Sequence, residues 1–186
     1  MVTTRKGIRR KVTHKRKAPT RPRRKIPIPV EVPVCSLSTL VRATPKEIRI
    51  RAGGCSSTQR SVEVFERAPV RSKGNISVMR VTATSKCPHP SGSGRPHMQV
   101  IQLFHKPGIV RPDLLPVWVW CSCEHFLFYL EVALEHGKCT SIINSDGAFP
   151  AFTNPGMRKY LCKHLVSAAT DLVVRKKLLP PDPGAK

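Results

Sequence analysis

Apolar and polar residues alternate in four segments through the middle of the chain, a pattern that predicts β-strands. SVEVFERA at 61–68 and NISVMRVTAT at 75–84 come first. HMQVIQLFH at 97–105 is apolar with polar interruptions, and PVWVWCSC at 116–123 is the fourth segment. Turn-forming residues join the segments, so successive strands are expected to pair as an antiparallel meander.

Two later segments change to the three- and four-residue spacing of amphipathic helices. The first covers residues 124–137 and stops at Gly137. The second covers 162–180, and its last turns carry Arg175 and Lys176, cations that suit a helix C-terminus. The predicted apolar faces are Phe126, Leu127, Leu130 and Leu134 in the first helix and Leu165, Ala168, Ala169, Leu172 and Val173 in the second.

The remaining ordered segments have weaker patterns. Residues 36–54 predict a short helix and then an alternating strand at Ile48–Arg51, closed by two glycines. Residues 139–159 predict a loop with possible short strands at 140–143. The expected fold class is therefore α+β: a small antiparallel sheet followed by two helices.

Charge separates the N-terminus from the rest of the chain. The net charge is +22, and the first 25 residues contain twelve of the 33 Lys and Arg and no acid. Such a block repels itself and has little to bury, so an extended basic arm is expected. KIPIPVEVPV at 25–34 favours extended polyproline-like chain. The arm residues expected to contact a partner or nucleic acid are Arg5, Lys6, Arg9, Arg10, Lys11, Lys15, Arg16, Lys17, Arg21, Arg23, Arg24 and Lys25.

Several classes of protein are disfavoured. No run of about 18 apolar residues predicts a membrane span, and the basic start lacks the apolar stretch of a secretory signal. Synthesis in a reducing cytoplasm is expected, and the seven cysteines, an odd number, argue weakly against a complete disulfide framework. No Gly-rich phosphate loop or G-x-S-x-G appears, so the chain is expected not to be an enzyme.

Two short cysteine motifs have the spacing of metal ligands. Cys121 and Cys123 end the fourth predicted strand, where residues i and i+2 share a face and reach one point if the strand bends. Cys162 and His164 converge if the cysteine precedes the last helix and the histidine lies in its first turn, because i and i+2 diverge by roughly 200° within a helix. Together the four side chains predict a Cys₃His zinc site that joins the last strand to the last helix.

Other interpretations of the cysteines and histidines stay open. Cys121 and Cys162 could simply be buried small residues, and His164 an ordinary helix residue. Cys87 and His89 form a second C-x-H in a Pro/Gly/Ser loop, for which only Cys35 and Cys55 could be partners. Cys139 could also replace one of the four predicted ligands. A Cys₃His set leaves no open position for water, so the predicted zinc is structural, not catalytic.

CSC followed by CKHL resembles the SWIM-type zinc finger, C-x-C-xₙ-C-x-H, and the resemblance implies that Cys121, Cys123, Cys162 and His164 bind zinc. The interval of thirty-eight residues between Cys123 and Cys162 is longer than is usual in that family. Over about residues 97–175, the strand end, aromatic helix, Asn-Pro and L-C-K-H-L look similar to a group of tailed-bacteriophage proteins. Those proteins are virion or assembly components.

The expected organisation has three parts: a basic, Pro-rich arm at 1–34, a β-rich body at 35–110 and a zinc-stapled module at 111–186. The resemblance implies a structural role in a phage particle, in the neck, tail or baseplate, with other virion proteins as partners. The protein would be made in the host cytoplasm and reside in the virion, with no membrane partner. The alternative is a nucleic-acid-binding protein whose arm grips phosphates.

Overall fold

A computed structural model describes residues 31–67, 76–88, 94–105 and 108–176. The twelve basic residues predicted to make contacts, together with the rest of the first 30 residues, lie outside this part of the chain. Within the described residues, no helix is long and apolar enough to cross a membrane.

Four antiparallel strands form one sheet in the order of the chain, which confirms the predicted meander. The third and fourth strands agree closely with their predicted segments, whereas the first begins five residues earlier than predicted. The strands are β1 (Ser56–Arg67), β2 (Ile76–Lys86), β3 (His97–Phe104) and β4 (Val117–Cys121). All five residues of β4 are buried, including Trp118.

Two helices precede the sheet, and one of them corrects a prediction. The expected short helix is α1 (Leu37–Ala43), but the expected strand at Ile48–Arg51 lies inside α2 (Lys46–Gly53). Ile48 packs against the core with Ala52, four residues on, whereas Ile50 is 66% exposed. The inward spacing is therefore that of a helix, and a two-residue alternation over four positions was too short a signal.

Both predicted C-terminal helices form. The first has a π-helical stretch at Phe126–Leu130 that continues into α3 (Glu131–Glu135). The second begins as α4 (Lys163–Ala168) and continues as a π-helical stretch at Ala169–Val174. The predicted apolar positions of both helices are buried, except that Leu127 is only partly so. The predicted short strands at 140–143 are absent from this described loop.

One hydrophobic core joins the sheet to the helices. It includes residues of all the helices and of β2, β3 and β4. The core is continuous across residue 110, the predicted boundary between the β-rich body and the C-terminal module, because β4 pairs with β3. The C-terminal helix α4 packs against all four strands. Trp118 and Trp120 are both buried in this core.

Cys55 and Cys87 form a disulfide, although the sequence favoured reduced thiols. The cause is strand register: Ser56 pairs with Lys86, so the residues just outside that pair are brought side by side. Cys87 is thereby occupied and cannot serve as a thiolate ligand of a second metal site. His89, its proposed partner, lies outside the described residues.

Candidate metal centre

The four predicted ligands meet where β4 ends and α4 begins. Cys121 is the last residue of β4, and Cys123 follows after a bend. Cys162 precedes α4 in extended conformation, and His164 is the second residue of that helix. One donor atom from each side chain lies within 4.8 Å of all the others, and all four residues are buried.

Local backbone geometry explains why each pair converges. Cys162 has φ −71° and ψ 162°, so its side chain leaves the backbone before the helical turn starts. Its carbonyl accepts the amide of Val166 at 3.0 Å, which closes the first turn around His164. The carbonyl of Cys123 likewise accepts the amides of Phe126 at 3.0 Å and Leu127 at 3.1 Å. Each ligand pair is therefore held by a helix start.

A buried threonine fixes the segment that leads into Cys162. The hydroxyl of Thr44 donates to the carbonyl of Leu40 at 2.8 Å and accepts the amide of Leu161 at 3.0 Å. This links the end of α1 to the residue just before the third ligand. A helix at the start of the domain thus helps to position a ligand near its end.

A buried carboxylate organises the long loop between the two ligand pairs. Glu131 in α3 is fully buried, and its oxygens accept the amides of Ile143 at 3.1 Å, Asn144 at 3.4 Å and Ser145 at 2.7 Å. Hydrogen bonds to a charged acceptor are stronger than neutral ones. The loop is therefore tied to the helix that follows Cys123.

Asn154 performs the same task further along the loop. Its amide group donates to the carbonyls of Tyr129 at 2.9 Å and Arg158 at 3.0 Å, and its oxygen accepts the amide of Arg158 at 3.0 Å. The side chain is buried, so these bonds are shielded from water. Together with Glu131, it keeps the long interval between Cys123 and Cys162 from separating the ligand pairs.

The three thiols of the centre interact strongly with one another. Hydrogen bonds from Cys121 and Cys162 hold the pKa of Cys123 far below its ordinary value, and the amide of Phe126 adds a contact to its Sγ at 3.4 Å. Burial raises the pKa of Cys121 and of Cys162 well above the usual range. A soft divalent cation would bind three such sulfurs as thiolates and release their protons to solvent.

The imidazole supplies an independent indication that the site fits a metal. Nδ1 of His164 is buried and has no hydrogen-bond partner among the described residues. Buried polar nitrogens are rarely left unpaired, because the lost hydration costs about 1–3 kcal/mol. A cation bound at this nitrogen would supply the missing partner, so the donor chemistry fits a Cys₃His metal site.

A chain of polar side chains behind the centre was missed by the sequence analysis. Nε2 of Gln99 contacts Sγ of Cys121 at 3.8 Å, and its Oε1 accepts a hydrogen bond from Ser85 at 2.8 Å. Ser57 then lies 2.7 Å from both Ser85 and Ser167, which connects β1, β2, β3 and α4. Gln99, a polar residue within the apolar segment of β3, was the sequence feature that could have indicated this chain, because its side chain is fully buried.

Cys139 and His125 also have metal-binding side chains but make other contacts, and His125 lies beside the centre without being one of the group of four. Cys139 is in hydrogen-bonding contact with Cys35 and is not part of the centre. His125 stacks on the ring of Tyr129 with centroids 4.8 Å apart. Across the described ranges, the only group of three or more cysteine, histidine or acidic side chains that could hold a metal ion is the predicted set of four.

No family model, curated protein or solved structure matches the chain.

Proposed function

We propose that Cys121, Cys123, Cys162 and His164 bind one structural zinc ion. The observation that carries this proposal is the convergence of three thiols and one imidazole within 4.8 Å in a buried site. Three sulfurs and one nitrogen are a donor set that zinc favours, and four protein ligands complete its tetrahedral coordination. When bound, the ion supplies a cross-link and neutralises the thiolates, and no position is left for a substrate.

The protein's proposed role is therefore non-enzymatic. A cross-link between the last strand and the last helix adds to the stability that the hydrophobic core supplies, as in other zinc modules where metal binding contributes to the folding free energy. The resemblance of the CSC and CKHL motifs to SWIM-type fingers supports the same structural use of the metal.

We further propose that this zinc-stabilised body is a component of a tailed-bacteriophage particle, tethered to neighbouring subunits by its basic N-terminal arm. Two features support the assignment: the resemblance of residues 97–175 to phage virion proteins, and an arm with twelve cations in 25 residues. Segments of this composition order when they contact a partner, which suits a subunit that links others.

Two measurements test these proposals separately. Elemental analysis of the purified chain should find one zinc per molecule, and a chain that folds without bound metal would overturn the zinc proposal. Mass spectrometry of purified virions should detect the protein in fixed stoichiometry with the other particle proteins. Its absence from virions of the phage that encodes it would overturn the particle assignment and leave the metal centre intact.

A nucleic-acid-binding role is the second candidate. The net charge of +22 favours it, because cations that neutralise phosphates release counterions and give tight, salt-sensitive binding. Both roles predict some attraction of the arm to DNA, so affinity alone does not separate them. Presence in the virion favours the first role, whereas a cellular complex with nucleic acid and no virion copy favours the second.

A further inference from the structure

A solvent-open cavity of about 530 Å³ lies directly beside the metal centre. Cys123, Cys162 and His164 form part of its wall, and His97 and His125 contribute imidazole rings. Its volume lies within the range of sites that bind small organic ligands, roughly 300–1,000 Å³. The cavity is therefore large enough for a nucleotide-sized group.

Three cationic side chains surround this cavity, each from a different part of the fold. Arg51 is in α2, Arg95 lies just before β3, and Lys163 is the first residue of α4. Among the described residues of the wall, the only acidic one is Glu124, which is exposed. The positive charge therefore exceeds the negative charge around the opening.

The basic residues of the described body fall into two groups, those with a carboxylate partner and those without one. Arg80, Arg111, Lys138 and Arg175 each have a carboxylate within 4.0 Å. Arg51, Arg95 and Lys163 make no ion pair with any carboxylate in the described part of the chain. The whole sequence has only eleven acids for 33 bases, which favours an external anion as the counter-charge for these three side chains.

We propose that this cavity binds the phosphate backbone of a single-stranded nucleic acid. Guanidinium groups recognise phosphate oxygens by paired hydrogen bonds, and a lysine adds a point charge. His97 and His125 each contact another ring on one face, with centroid distances of 4.4 Å to His164 and 4.8 Å to Tyr129. Their other faces supply planar surfaces for a base, the usual companion of backbone contacts in single-strand sites. A polymer is favoured over a small phosphate because a +22 chain attracts polyanions most strongly.

This inference depends on the fold around the metal centre and not on the particle assignment. The cavity would form a sequence-independent contact in the ordered body, separate from the basic arm. The metal centre would fix the position of Lys163 in the cavity wall, because Cys162 and His164 flank Lys163 at the start of α4.

The test measures binding of zinc-loaded, full-length protein to fluorescein-labelled oligothymidylate by anisotropy at several salt concentrations. The triple variant Arg51→Ala/Arg95→Ala/Lys163→Ala removes the cavity cations. The control variant Arg42→Ala/Lys46→Ala/Arg158→Ala removes the same charge from exposed positions outside the cavity. The arm is unchanged in both, so its contribution cancels.

We expect the cavity variant to lower the slope of log K against log salt by about 2, because each lost single-strand phosphate contact contributes about 0.7. Its affinity should fall at least about tenfold further than that of the control. The double variant Arg51→Ala/Arg95→Ala keeps Lys163 beside the ligands and should lower the slope by about 1.4 while retaining full zinc content.

Equal losses in the cavity and control variants would overturn the proposal, since they would reflect net charge alone. The second measurement adds inorganic phosphate at matched ionic strength. Phosphate binding that the cavity variant loses, together with equal oligonucleotide affinities in the cavity and control variants, would assign the cavity to free phosphate and overturn the nucleic-acid ligand. The expected slope change, with oligonucleotide affinity lost in the cavity variant, supports the phosphodiester backbone.

Discussion

Two groups of cysteines lie against β4, and they differ in almost every property that matters for metal binding. At its last residue, three thiols and one imidazole converge in a buried site. Near its first residue, Cys35 and Cys139 lie in contact, and their carbonyls accept the amides of Val117 at 2.9 Å and Val119 at 2.7 Å. Both sites bring distant cysteines to one strand edge, but only the first assembles four donors.

The contrast shows that proximity of thiols does not by itself make a metal site. The Cys35–Cys139 pair is not part of a larger cluster of candidate ligands in the described chain, and Cys35 is partly open to solvent. The single thiol proton of Cys139 is shared between Cys35 and the carbonyl of Gly137, which lies 3.0 Å from its Sγ. The centre has complementary features: full burial, a fourth ligand and a polar chain behind Cys121.

Loss of one ligand should have the largest effect. Cys162→Ser removes a thiolate from the centre, and zinc binding in small modules supplies about 10 kcal/mol or more, comparable with the stability of a whole domain. We expect the variant to lose its metal and its cooperative thermal unfolding, as followed by circular dichroism and elemental analysis.

The matched control is Cys139→Ser in the other pair. It should keep one zinc per chain and a cooperative melt, with a loss of about 1 kcal/mol from the altered hydrogen bond to Gly137. If metal-free Cys162→Ser melts like wild type, the two groups of cysteines are equivalent and the centre is not a structural cross-link.

A Glu131 variant tests how the long loop between Cys123 and Cys162 is held in place. Glu131→Ala leaves three buried or part-buried amides without their acceptor, and we expect a loss of about 3 kcal/mol or more in the free energy of unfolding by urea. Glu135→Ala, four residues on, removes only a surface pair with Lys138 and should cost about 0.5 kcal/mol. Similar losses in both would contradict the proposed anchoring.

A Gln99 variant tests whether the polar chain behind Cys121 affects metal affinity at the centre without affecting the Cys35–Cys139 pair. Gln99→Leu removes the contact to Sγ of Cys121 and leaves Ser85 without its acceptor. Outer-shell changes typically weaken metal binding about 10–100-fold, so chelator competition should show a loss in this range. Gln59→Leu on exposed β1 should leave zinc affinity unchanged, and an equal loss there would exclude a specific role for Gln99.

The smallest effect concerns the pH dependence of Cys35. A hydrogen bond from Cys139, helped by Lys159, lowers the pKa of Cys35 to about 7. Folding therefore favours the thiolate, and this contribution to stability, fully present above the ordinary thiol pKa, is lost as pH falls through about 7. Alkylation of Cys35 should rise with a midpoint near pH 7.

Cys139→Ala removes the donor and should move the alkylation midpoint upward, toward the ordinary thiol value of about 8.5. Peptide mass spectrometry distinguishes Cys35 from the cysteines of the proposed zinc centre, which should stay protected throughout. An unchanged midpoint would show that Cys139 does not control the reactivity of Cys35.

Several features could be read from short stretches of sequence because their geometry is local. The alternation in β2 and β3 identified strands, and the spacing of Phe126, Leu130 and Leu134 identified a helical face. C-x-C at a strand end and C-x-H at a helix start each determine how two side chains point. The α+β class and the four converging residues could therefore be predicted.

Longer-range features could not be predicted in this way. The Cys55–Cys87 disulfide depends on the register of β1 against β2, and the Cys35–Cys139 contact on which segments cover the edge of β4. Ile48–Arg51 was misassigned because four alternating residues cannot distinguish a short strand from a helix whose inward face holds Ile48 and Ala52.

The sequence alone determined which residues could be ligands, because donor chemistry and i, i+2 geometry are properties of neighbouring residues. The tertiary structure alone decided that Gln99 supports Cys121, that Glu131 ties down the long loop, and that Arg51, Arg95 and Lys163 surround one cavity. These arrangements arise from packing between segments tens of residues apart, whose relative positions depend on the whole core and not on any local pattern.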